Sequence, residues 1–365
     1  MRKKMLVVGA TGIVGHTALE HFAASGDWDA VAVSRRKPEC NSAFEHAAID
    51  LTDEKRCREA FGSMSDITHV VYTALQDRPP ASGQWPSKDS LQGNLAMLRN
   101  LLEPLTAAAK NLRHVTILQG TKAYGVHVGN RIAIPAKERW PRFEHENFYW
   151  LQEDYIDDLQ TGSSWSWTIF RPQIIFGYAI GSPMNFMTVI GVLAAICREE
   201  NRPMGFPGES LSILEATDAR VLARAFEWAA TASESRNATF NITNGDVFVW
   251  RNVWPAIADA LGVEPGPDDT VSLQELFQEN AGGWARVVEK YGLRNLTLEQ
   301  LIGQSDMHAD ISFRYGTDPK SSALVSTIKL RQSGFGECLD TEDSFRFWFD
   351  RYAERGILPS CLSRD

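Results

Sequence analysis

The sequence predicts an α/β protein, in which a doubly wound parallel sheet is followed by a smaller C-terminal lobe. In the first half of its 365 residues, short β-rich runs alternate with longer helical patterns, which is typical of a parallel sheet with helices on both faces. A glycine-rich turn joins the first of these runs to the first helical pattern. After Arg171 and Pro172 the alternation ends and Pro, Gly and aromatic residues become frequent, so we expect the second lobe to begin there.

The individual elements are predicted from the spacing of their apolar residues. Strands are expected at residues 4–9, 30–34, 46–49, 69–73, 114–118, 167–170 and 238–243. Helices are expected at residues 12–25, 54–61, 91–109, 144–161, 219–231, 253–261 and 344–353. In an open sheet of parallel strands, ligands bind outside the carboxyl ends of the strands.

The composition excludes several classes of function. A net charge of −9 argues against binding to nucleic acid, because neutralising a phosphate backbone needs a clustered basic surface. The five cysteines are scattered and form no CxxC pair, which indicates a reducing compartment and a cytoplasmic protein. No metal site is predicted.

No membrane partner is expected either. The apolar run near the N-terminus is interrupted by glycines, so a buried strand is a better interpretation than a signal peptide. The apolar stretch at residues 186–197 gives way to charged residues and is too short to span a bilayer.

A dinucleotide site is predicted where the first strand meets the first helix. The motif reads GATGIVG, and its expected cofactor contacts are Gly9, Thr11, Gly12, Ile13, Val14 and Gly15. The early glycines permit a tight turn and close approach to a pyrophosphate, and the last lets the helix pack against the sheet. The pyrophosphate would then bind the free amides at the start of the helix. This context predicts a Rossmann-type fold of the extended short-chain dehydrogenase kind.

The residues after the second strand predict which dinucleotide binds. An acidic residue at this position favours NAD, whereas Arg accommodates the 2′-phosphate of NADP. The chain has Ser34, Arg35 and Arg36 here, and two guanidiniums suit a phosphate dianion. We therefore expect NADPH or NADP as the cofactor, although a solvated basic turn is the alternative.

Residues at the ends of two further strands are expected to contact the cofactor. Asp50 and Leu51 follow the third strand, where adenine normally lies, although Asp50 capping the next helix is an alternative. At the end of the fourth strand, where the cofactor ribose lies, are Thr73, Ala74 and Leu75.

The NADP-binding domain is accordingly predicted to comprise residues 1–175 plus about 212–245, because a helix and a strand return there. Residues of about 176–211 and 246–365 would form the substrate-binding lobe. Within that lobe, Tyr178, Asn185 and Phe186 are expected to contact an apolar substrate, with packing inside the protein as the alternative for each.

The expected proton donor of a short-chain reductase, a Tyr followed four residues later by Lys, is absent. None of the eight tyrosines has Lys at that position, and Tyr149 is followed there by Glu153. Lys122 lies directly after the fifth strand, whose carboxyl end faces the nicotinamide cleft. A lysine there can approach a tyrosine from the following helix.

These motifs together resemble the progesterone 5β-reductase/iridoid synthase-like group, an atypical branch of the short-chain dehydrogenases. The segments that carry the resemblance are GATGIVG, SRR, GTKAYG, PAKERWPR, NFYWLQED, RPQIIFG and residues 182–207. The resemblance covers roughly the first 250 residues. It implies that Lys122 is the displaced catalytic lysine and Tyr149 the catalytic tyrosine.

The resemblance also implies 1,4-reduction of an enone by NADPH, with a small apolar carbonyl compound as substrate. Further cofactor contacts are expected at Gln119, Gly120, Tyr149, Pro172 and Ile174. Plant members carry a second Tyr and a His where this chain has Trp150 and Ala123, which puts the plant substrates in doubt. The oligomeric state is not determined by the sequence, and a homodimer stays open.

The physical chemistry of the pair fits a reductase. Tyr149 would hydrogen-bond the oxygen on which charge develops, and Lys122 would lower the phenol pKa from about 10 toward working pH. In an enone the hydride goes to the β-carbon, and the tyrosine hydroxyl stabilises the enolate oxygen by a hydrogen bond. In a simple aldehyde or ketone, the tyrosine would donate its proton to the oxygen. The residues alone do not separate these two reactions.

Several alternatives stay open beside this hypothesis. Tyr149 could instead be an aromatic core contact, with Tyr124 and Tyr155 as competing tyrosines, and Lys122 a surface residue. Glu153 is expected on the helix surface. An Asn on the third helix, Asn94, would either brace the active-site backbone or bond locally.

Two other functions compete with reduction of an enone or a simple carbonyl. Nucleotide-sugar epimerases and dehydratases share the extended Rossmann fold, but they usually hold NAD and carry the YxxxK pair. A non-catalytic NADP sensor would keep the glycine turn and would need neither Lys122 nor Tyr149.

Overall fold

A computed structural model of the chain describes residues 2–76, 88–316 and 322–361. In these ranges the strands are β1 (Lys3–Val8), β2 (Trp28–Ser34), β3 (Glu45–Ala48), β4 (His69–Tyr72), β5 (His114–Leu118), β6 (Ser166–Pro172), β7 (Ile174–Phe176), β8 (Ala216–Asp218) and β9 (Ala238–Ile242). The helices are α1 (Ile13–Ala24), α2 (Glu54–Phe61), α3 (Lys88–Ala108), α4 (Phe148–Gln160), α5 (Phe186–Glu199), α6 (Ala219–Thr231), α7 (Trp250–Ala260), α8 (Leu273–Glu279), α9 (Ala281–Lys290), α10 (Leu298–Ile302), α11 (Ser305–Phe313), α12 (Ile328–Gln332) and α13 (Thr341–Glu354).

Seven parallel strands form the main sheet of the described residues, in the order β3-β2-β1-β4-β5-β6-β9. The strand order reverses between β1 and β4, and such a switch point is where dinucleotides bind in doubly wound folds. The predicted Rossmann-type parallel sheet is confirmed.

The sheet holds together because its central strands are buried on both faces. In β1 the run from Met5 to Val8 has almost no exposed surface, as parallel strands covered by helices require. On one face, Leu98 and Leu101 of α3 join Val8 and Tyr72 in a continuous apolar core. This core fixes the ends of β1 and β4, from which the glycine turn and its neighbours project.

The chain divides into two compact units. The first contains Met1–Gln173, Ala219–Ile242 and Val325–Glu337, and the second contains Ile174–Asp218, Thr243–Leu324 and Cys338–Asp365. The sequence reasoning did not anticipate the segment Val325–Glu337 in the first unit. Its helix α12 is held there by Lys329, whose ammonium donates to the Thr239 carbonyl oxygen of β9 at 2.8 Å. Assigning the first unit to the cofactor and the second to the substrate stays a prediction.

The apolar stretch at residues 186–197 forms most of α5, a helix within the second unit. Asn185 caps its start by accepting the Met187 N–H at 3.1 Å. All residues from Phe186 to Cys197 are buried. Protein therefore encloses this part of the helix, which explains why it is apolar on every side. None of the helices in the described ranges combines the length and the hydropathy needed to cross a bilayer.

Candidate active site

The glycine turn between β1 and α1 leaves no room for a side chain at Gly9 or Gly15. Gly9 has a φ of +89°, a conformation that favours glycine, and its N–H donates to the Val33 carbonyl oxygen at 3.0 Å. A methyl group added at Gly9 would lie 2.8 Å from the Thr73 hydroxyl oxygen. One added at Gly15 would lie 2.2 Å from the carbonyl oxygen of Gly9. The turn is therefore packed directly against the end of β4.

Helix α1 begins without a side-chain cap. Gly12 is its N-cap, has no side chain to satisfy the first-turn amides, and donates its own N–H to the Gly9 carbonyl oxygen at 2.9 Å. Thr11, Ile13 and Val14 complete the turn and the start of the helix. Uncapped amides at a helix start suit an anionic group such as a pyrophosphate.

The basic residues after β2 are presented to solvent. The Ser34 hydroxyl donates to the Arg36 carbonyl oxygen at 2.6 Å, which closes the turn. The side chains of Arg35 and Arg36 are exposed, and neither makes an ion pair within the described part of the chain. Two unpaired guanidiniums are therefore free to meet a phosphate.

The turn after β3 is organised by Asp50. Its carboxylate accepts from the Thr52 N–H at 3.0 Å and from the Thr52 hydroxyl at 2.7 Å. The N-cap of α2 is Asp53, which accepts from Arg56 N–H, so Asp50 does not itself cap that helix. The carbonyl oxygen of Leu51 is anchored by Asn100 of α3 at 2.8 Å.

The loop after β4 is held by Asn94 of α3. Its Oδ1 accepts the Gln76 N–H at 3.0 Å, and its Nδ2 donates to the carbonyl oxygens of Gln76 at 3.1 Å and Ser90 at 2.9 Å. Asn94 thus both bonds locally and braces the distant loop. Along that loop Thr73 and Ala74 are partly buried, and Leu75 is exposed.

Tyr149 lies in the first turn of α4, at the carboxyl end of β5. A methyl group added at Gly120 would lie 3.3 Å from the Tyr149 hydroxyl oxygen and 3.7 Å from the Pro172 carbonyl oxygen. The side-chain amide of Gln119 donates to the Tyr149 carbonyl oxygen at 3.2 Å. The ring packs with Phe148 in a small apolar cluster, so Tyr149 makes core contacts while its hydroxyl reaches the sheet edge.

Lys122 lies in a 3-10 turn, Thr121–Tyr124, directly after β5. Its carbonyl oxygen accepts a hydrogen bond from Asn147 Nδ2 at 3.1 Å, and Asn147 Oδ1 accepts the N–H of Tyr149 at 3.0 Å. Burial, and then the positive charge of Lys122, lower the pKa of His127 to about 4. The structure therefore joins the Lys122 turn to the start of the Tyr149 helix.

The competing tyrosines have other partners. The Tyr124 hydroxyl donates to Asn241 Oδ1 of β9 at 2.7 Å, and burial raises the pKa of Tyr124. Tyr155 packs against the main sheet core with the Arg99 guanidinium 5.2 Å from its ring, and burial raises its pKa. Neither environment favours proton transfer at neutral pH.

The expectation that Glu153 is a helix-surface residue is wrong. Its side chain is only 11% exposed, and its carboxylate lies 2.7 Å from the Arg171 guanidinium and 3.0 Å from that of Arg142. The physical reason is that Arg171 at the end of β6 is buried and needs a negative partner. The same guanidiniums lie over the ring of Trp150, at 4.9 Å for Arg142 and 5.4 Å for Arg171.

The predicted substrate residues all lie in the second unit and are buried. The ring of Tyr178 packs on that of Tyr352 at 4.9 Å, and Asn185 donates to the Tyr352 hydroxyl oxygen at 2.7 Å. Phe186 packs on Trp250 at 5.4 Å. Their role toward a substrate stays a prediction, as does the cofactor contact predicted for Ile174 of the same unit.

Sequence reasoning missed three residues that organise this region, namely Asn147, Arg142 and Arg171. Asn147 carried a readable signal, because Asn before an apolar helical run is a typical N-cap. Nothing in the sequence around Arg142 or Arg171 indicates their role, because their shared partner, Glu153, lies more than ten residues away from each. Within the described ranges, no group of three or more His, Cys, Asp or Glu is arranged to hold a metal ion.

Comparison with known proteins yields one family. The family model described as the PRISE-like Rossmann-fold domain matches residues 5–359. A 3-oxo-Δ(4,5)-steroid 5β-reductase from Arabidopsis thaliana is 31% identical over 372 residues, which cover 97% of this chain and 92% of the relative. An (S)-8-oxocitronellyl enol synthase, CYC2, from Camptotheca acuminata is 32% identical over 377 residues, which cover 97% of this chain and 93% of the relative.

Solved structures similar to this chain include nucleotide-sugar epimerases. UDP-glucose 4-epimerase from Thermotoga maritima superposes with a TM-score of 0.66 at 13% identity, covering 96% of this chain and 99% of that one. The enzyme of the same name from Thermus thermophilus, in complex with NAD, gives a TM-score of 0.64 at 18% identity, with 96% and 98% covered. At these identities the likeness shows the fold alone.

Proposed function

Because the chain belongs to the PRISE-like Rossmann-fold family, we propose that it is an NADPH-dependent reductase whose reaction is the 1,4-reduction of an enone. Relatives at 31% and 32% identity are named a steroid 5β-reductase and an enol synthase. The observation that carries the proposal is the Tyr149 hydroxyl beside Gly120, on the same sheet edge as the glycine turn. The epimerase alternative is not favoured, because no YxxxK pair is present.

The residues at this edge fit a nicotinamide dinucleotide. The uncapped start of α1 and the turn at Gly9 and Gly15 suit its pyrophosphate, and Arg35 and Arg36 suit the 2′-phosphate of NADP. Gln119 Oε1 is buried without a hydrogen-bond partner in the described structure, which leaves an acceptor beside Tyr149. NADPH, when bound, supplies the hydride.

Tyr149 is proposed as the group that stabilises charge on the substrate oxygen. Its hydroxyl would donate a hydrogen bond to the carbonyl oxygen, and that bond strengthens as the oxygen gains negative charge. Lys122, in the turn tied to the same helix, would lower the pKa of this hydroxyl and so make it a stronger donor. Each unit of lowering corresponds to about 1.4 kcal/mol.

Reduction of enones is favoured over reduction of simple aldehydes and ketones by the names of the relatives. A hydroxyl that donates a hydrogen bond serves either an enolate or an alkoxide, so the site chemistry accommodates both. The substrate is proposed to be a small apolar carbonyl compound. Tyr178, Asn185 and Phe186 of the second unit are proposed to contact it.

The proposal is tested by following NADPH oxidation with a panel of cyclic enones, enals, simple aldehydes and sugar nucleotides, and by identifying each product. We expect saturated carbonyl products from enones or enals and no turnover of sugar nucleotides. Tight NADPH binding without turnover of any member would indicate a sensor. Allylic alcohols as the only products would indicate a simple carbonyl reductase.

A further inference from the structure

The side chain of Asn147 connects the two segments that carry Lys122 and Tyr149. Asn147 is the N-cap of α4 and is 7% exposed. Its Oδ1 accepts the Tyr149 N–H at 3.0 Å, while its Nδ2 donates to the Lys122 carbonyl oxygen at 3.1 Å. One planar amide thus spans from the turn after β5 to the first turn of α4.

A connection of this kind is needed because the lysine is displaced. In a YxxxK pair both side chains extend from one helix, whose geometry alone sets their separation. Here Lys122 and Tyr149 belong to different elements, so no secondary structure fixes the distance between them. A tertiary contact must do so, and the amide of Asn147 bonds both backbones directly.

We propose that Asn147 is a positioning residue, which sets the separation between the Lys122 ammonium and the Tyr149 hydroxyl and thereby the acidity of that hydroxyl. This inference rests on the proposed function, in which Tyr149 is the donor to the substrate and Lys122 its charged neighbour. The Asn147 amide supplies its acceptor and its donor on two separate atoms. A helix start needs only the acceptor, which Ser or Asp would also supply. An ionised Asp has no donor, and the single oxygen of Ser cannot take the positions of both amide atoms.

The charged and titratable groups around Asn147 are few. His145 Nε2 lies 3.1 Å from both the Lys122 carbonyl oxygen and Asn147 Nδ2, and the His127 ring packs edge-on against that of His145 at 5.2 Å. One turn further along α4 the charges are already ion-paired, in the group formed by Glu153, Arg171 and Arg142. Replacing Asn147 by Ser removes the Nδ2 contact of His145 and adds or removes no charge.

The test uses Asn147→Ser and Asn147→Asp, which keep an acceptor for the Tyr149 N–H and remove the amide nitrogen that donates to the Lys122 carbonyl oxygen. We expect kcat for an enone to fall about tenfold to a hundredfold, since small displacements in an active site have effects of that size. The KM and the affinity for NADPH should stay unchanged. In the neutral Ser variant the alkaline limb of the rate profile should move to higher pH, because a more distant ammonium lowers the phenol pKa less.

A second readout needs no turnover. Ultraviolet difference titration of the purified protein follows tyrosine ionisation, and comparison with Tyr149→Phe identifies the Tyr149 component. We expect this component to move to higher pH in Asn147→Ser. The control is Asp340→Ser, which changes the N-cap of α13, where Asp340 accepts the Glu342 N–H at 2.8 Å, and should alter neither readout.

Three results would overturn the inference or its premise. A folded Asn147→Ser variant with the wild-type kcat and the wild-type alkaline limb would show that Asn147 only caps α4. If the Ser variant does not fold, the isosteric Asp variant decides, and full activity there contradicts the inference. Full turnover in Tyr149→Phe would instead refute the proposed function, and the role of Asn147 would fall with it.

Discussion

The carboxylate of Glu153 lies 2.7 Å from the guanidinium of Arg171, and both side chains are largely buried. In an ordinary short-chain reductase this helix position holds the catalytic lysine, four residues after the tyrosine. In this chain it neutralises a buried cation at the end of β6, and Arg142 approaches its second oxygen. A lysine here would face a buried arginine, so the ion pair of Glu153 is consistent with the proposal that Lys122 supplies the catalytic cation instead.

Glu153→Lys is expected to destabilise the protein by about 3 to 5 kcal/mol, because it leaves Arg171 buried without a negative partner. In the double variant Lys122→Ala/Glu153→Lys we expect no recovery of turnover over Lys122→Ala. Denaturant unfolding and NADPH oxidation measure the two effects. Asp154→Lys is the control and should cost less than about 1 kcal/mol, since Asp154 is 62% exposed and its ion-pair partner among the described residues is Arg142. Recovered turnover in the double variant would show that a lysine at position 153 can replace Lys122 despite the buried Arg171, contrary to this prediction.

Tyr149→Phe and Lys122→Ala should each lower kcat by about 10²- to 10⁴-fold, the usual contribution of a positioned proton donor. NADPH affinity, measured by fluorescence titration, should change little. The control is Tyr124→Phe, which loses the hydrogen bond to Asn241 and should cost about 1 kcal/mol of stability while keeping turnover. Loss of turnover in Tyr124→Phe with full turnover in Tyr149→Phe would show that the wrong tyrosine has been assigned.

NADPH should bind more tightly than NADH, because Arg35 and Arg36 are exposed without ion-pair partners in the described chain. Replacing each by Ala should raise the Kd for NADPH about tenfold to a hundredfold, because one charge-assisted hydrogen bond is lost. The Kd for NADH should stay unchanged. Lys37→Ala changes a third exposed cation in the same turn and should have little effect. Equal affinity of the unaltered protein for both cofactors would defeat this prediction.

Stability should decline as the pH falls below about 6.5, the value for an unfolded histidine. Burial lowers the pKa of His69 to about 4 and that of His114 to about 3. The unfolded chain therefore takes up protons before the folded one does, and stability present above about pH 6.5 is lost toward pH 4 and 3. His114→Gln should flatten the slope of unfolding free energy between about pH 6.5 and 5, where most carboxylates stay ionised. An unchanged slope would contradict this prediction.

The sequence was sufficient to predict an element wherever the contacts that form that element are local. The glycine turn, the strands of the main sheet and the ends of α2 and α6 follow from short-range spacing, and α2 and α6 occupy the predicted residues. Helix α4 begins at Phe148 rather than 144, because Asn147 supplies the cap that ends the preceding loop. The correct start of the helix could have been predicted from the sequence, because Asn is a typical N-cap residue.

Contacts between distant segments could not be read in the same way. Glu153 has the appearance of a solvated helix residue, and only the folded chain brings Arg142 and Arg171 to it. Helix α12 is short, and it contacts β9 through residues far apart in sequence, such as Lys329 with the Thr239 carbonyl oxygen. Neither feature produces a periodic pattern.

In the proposed reaction, hydride adds to the β-carbon of an enone while Tyr149 stabilises the oxygen. The most direct test is reduction of a cyclic enone with NADPH deuterated at the transferred position, by the unaltered protein and by Tyr149→Phe. We predict a saturated ketone with deuterium at the β-carbon, formed far more slowly by Tyr149→Phe. Deuterium on the carbinol carbon of an allylic alcohol, formed equally fast by both proteins, would contradict the proposed reaction.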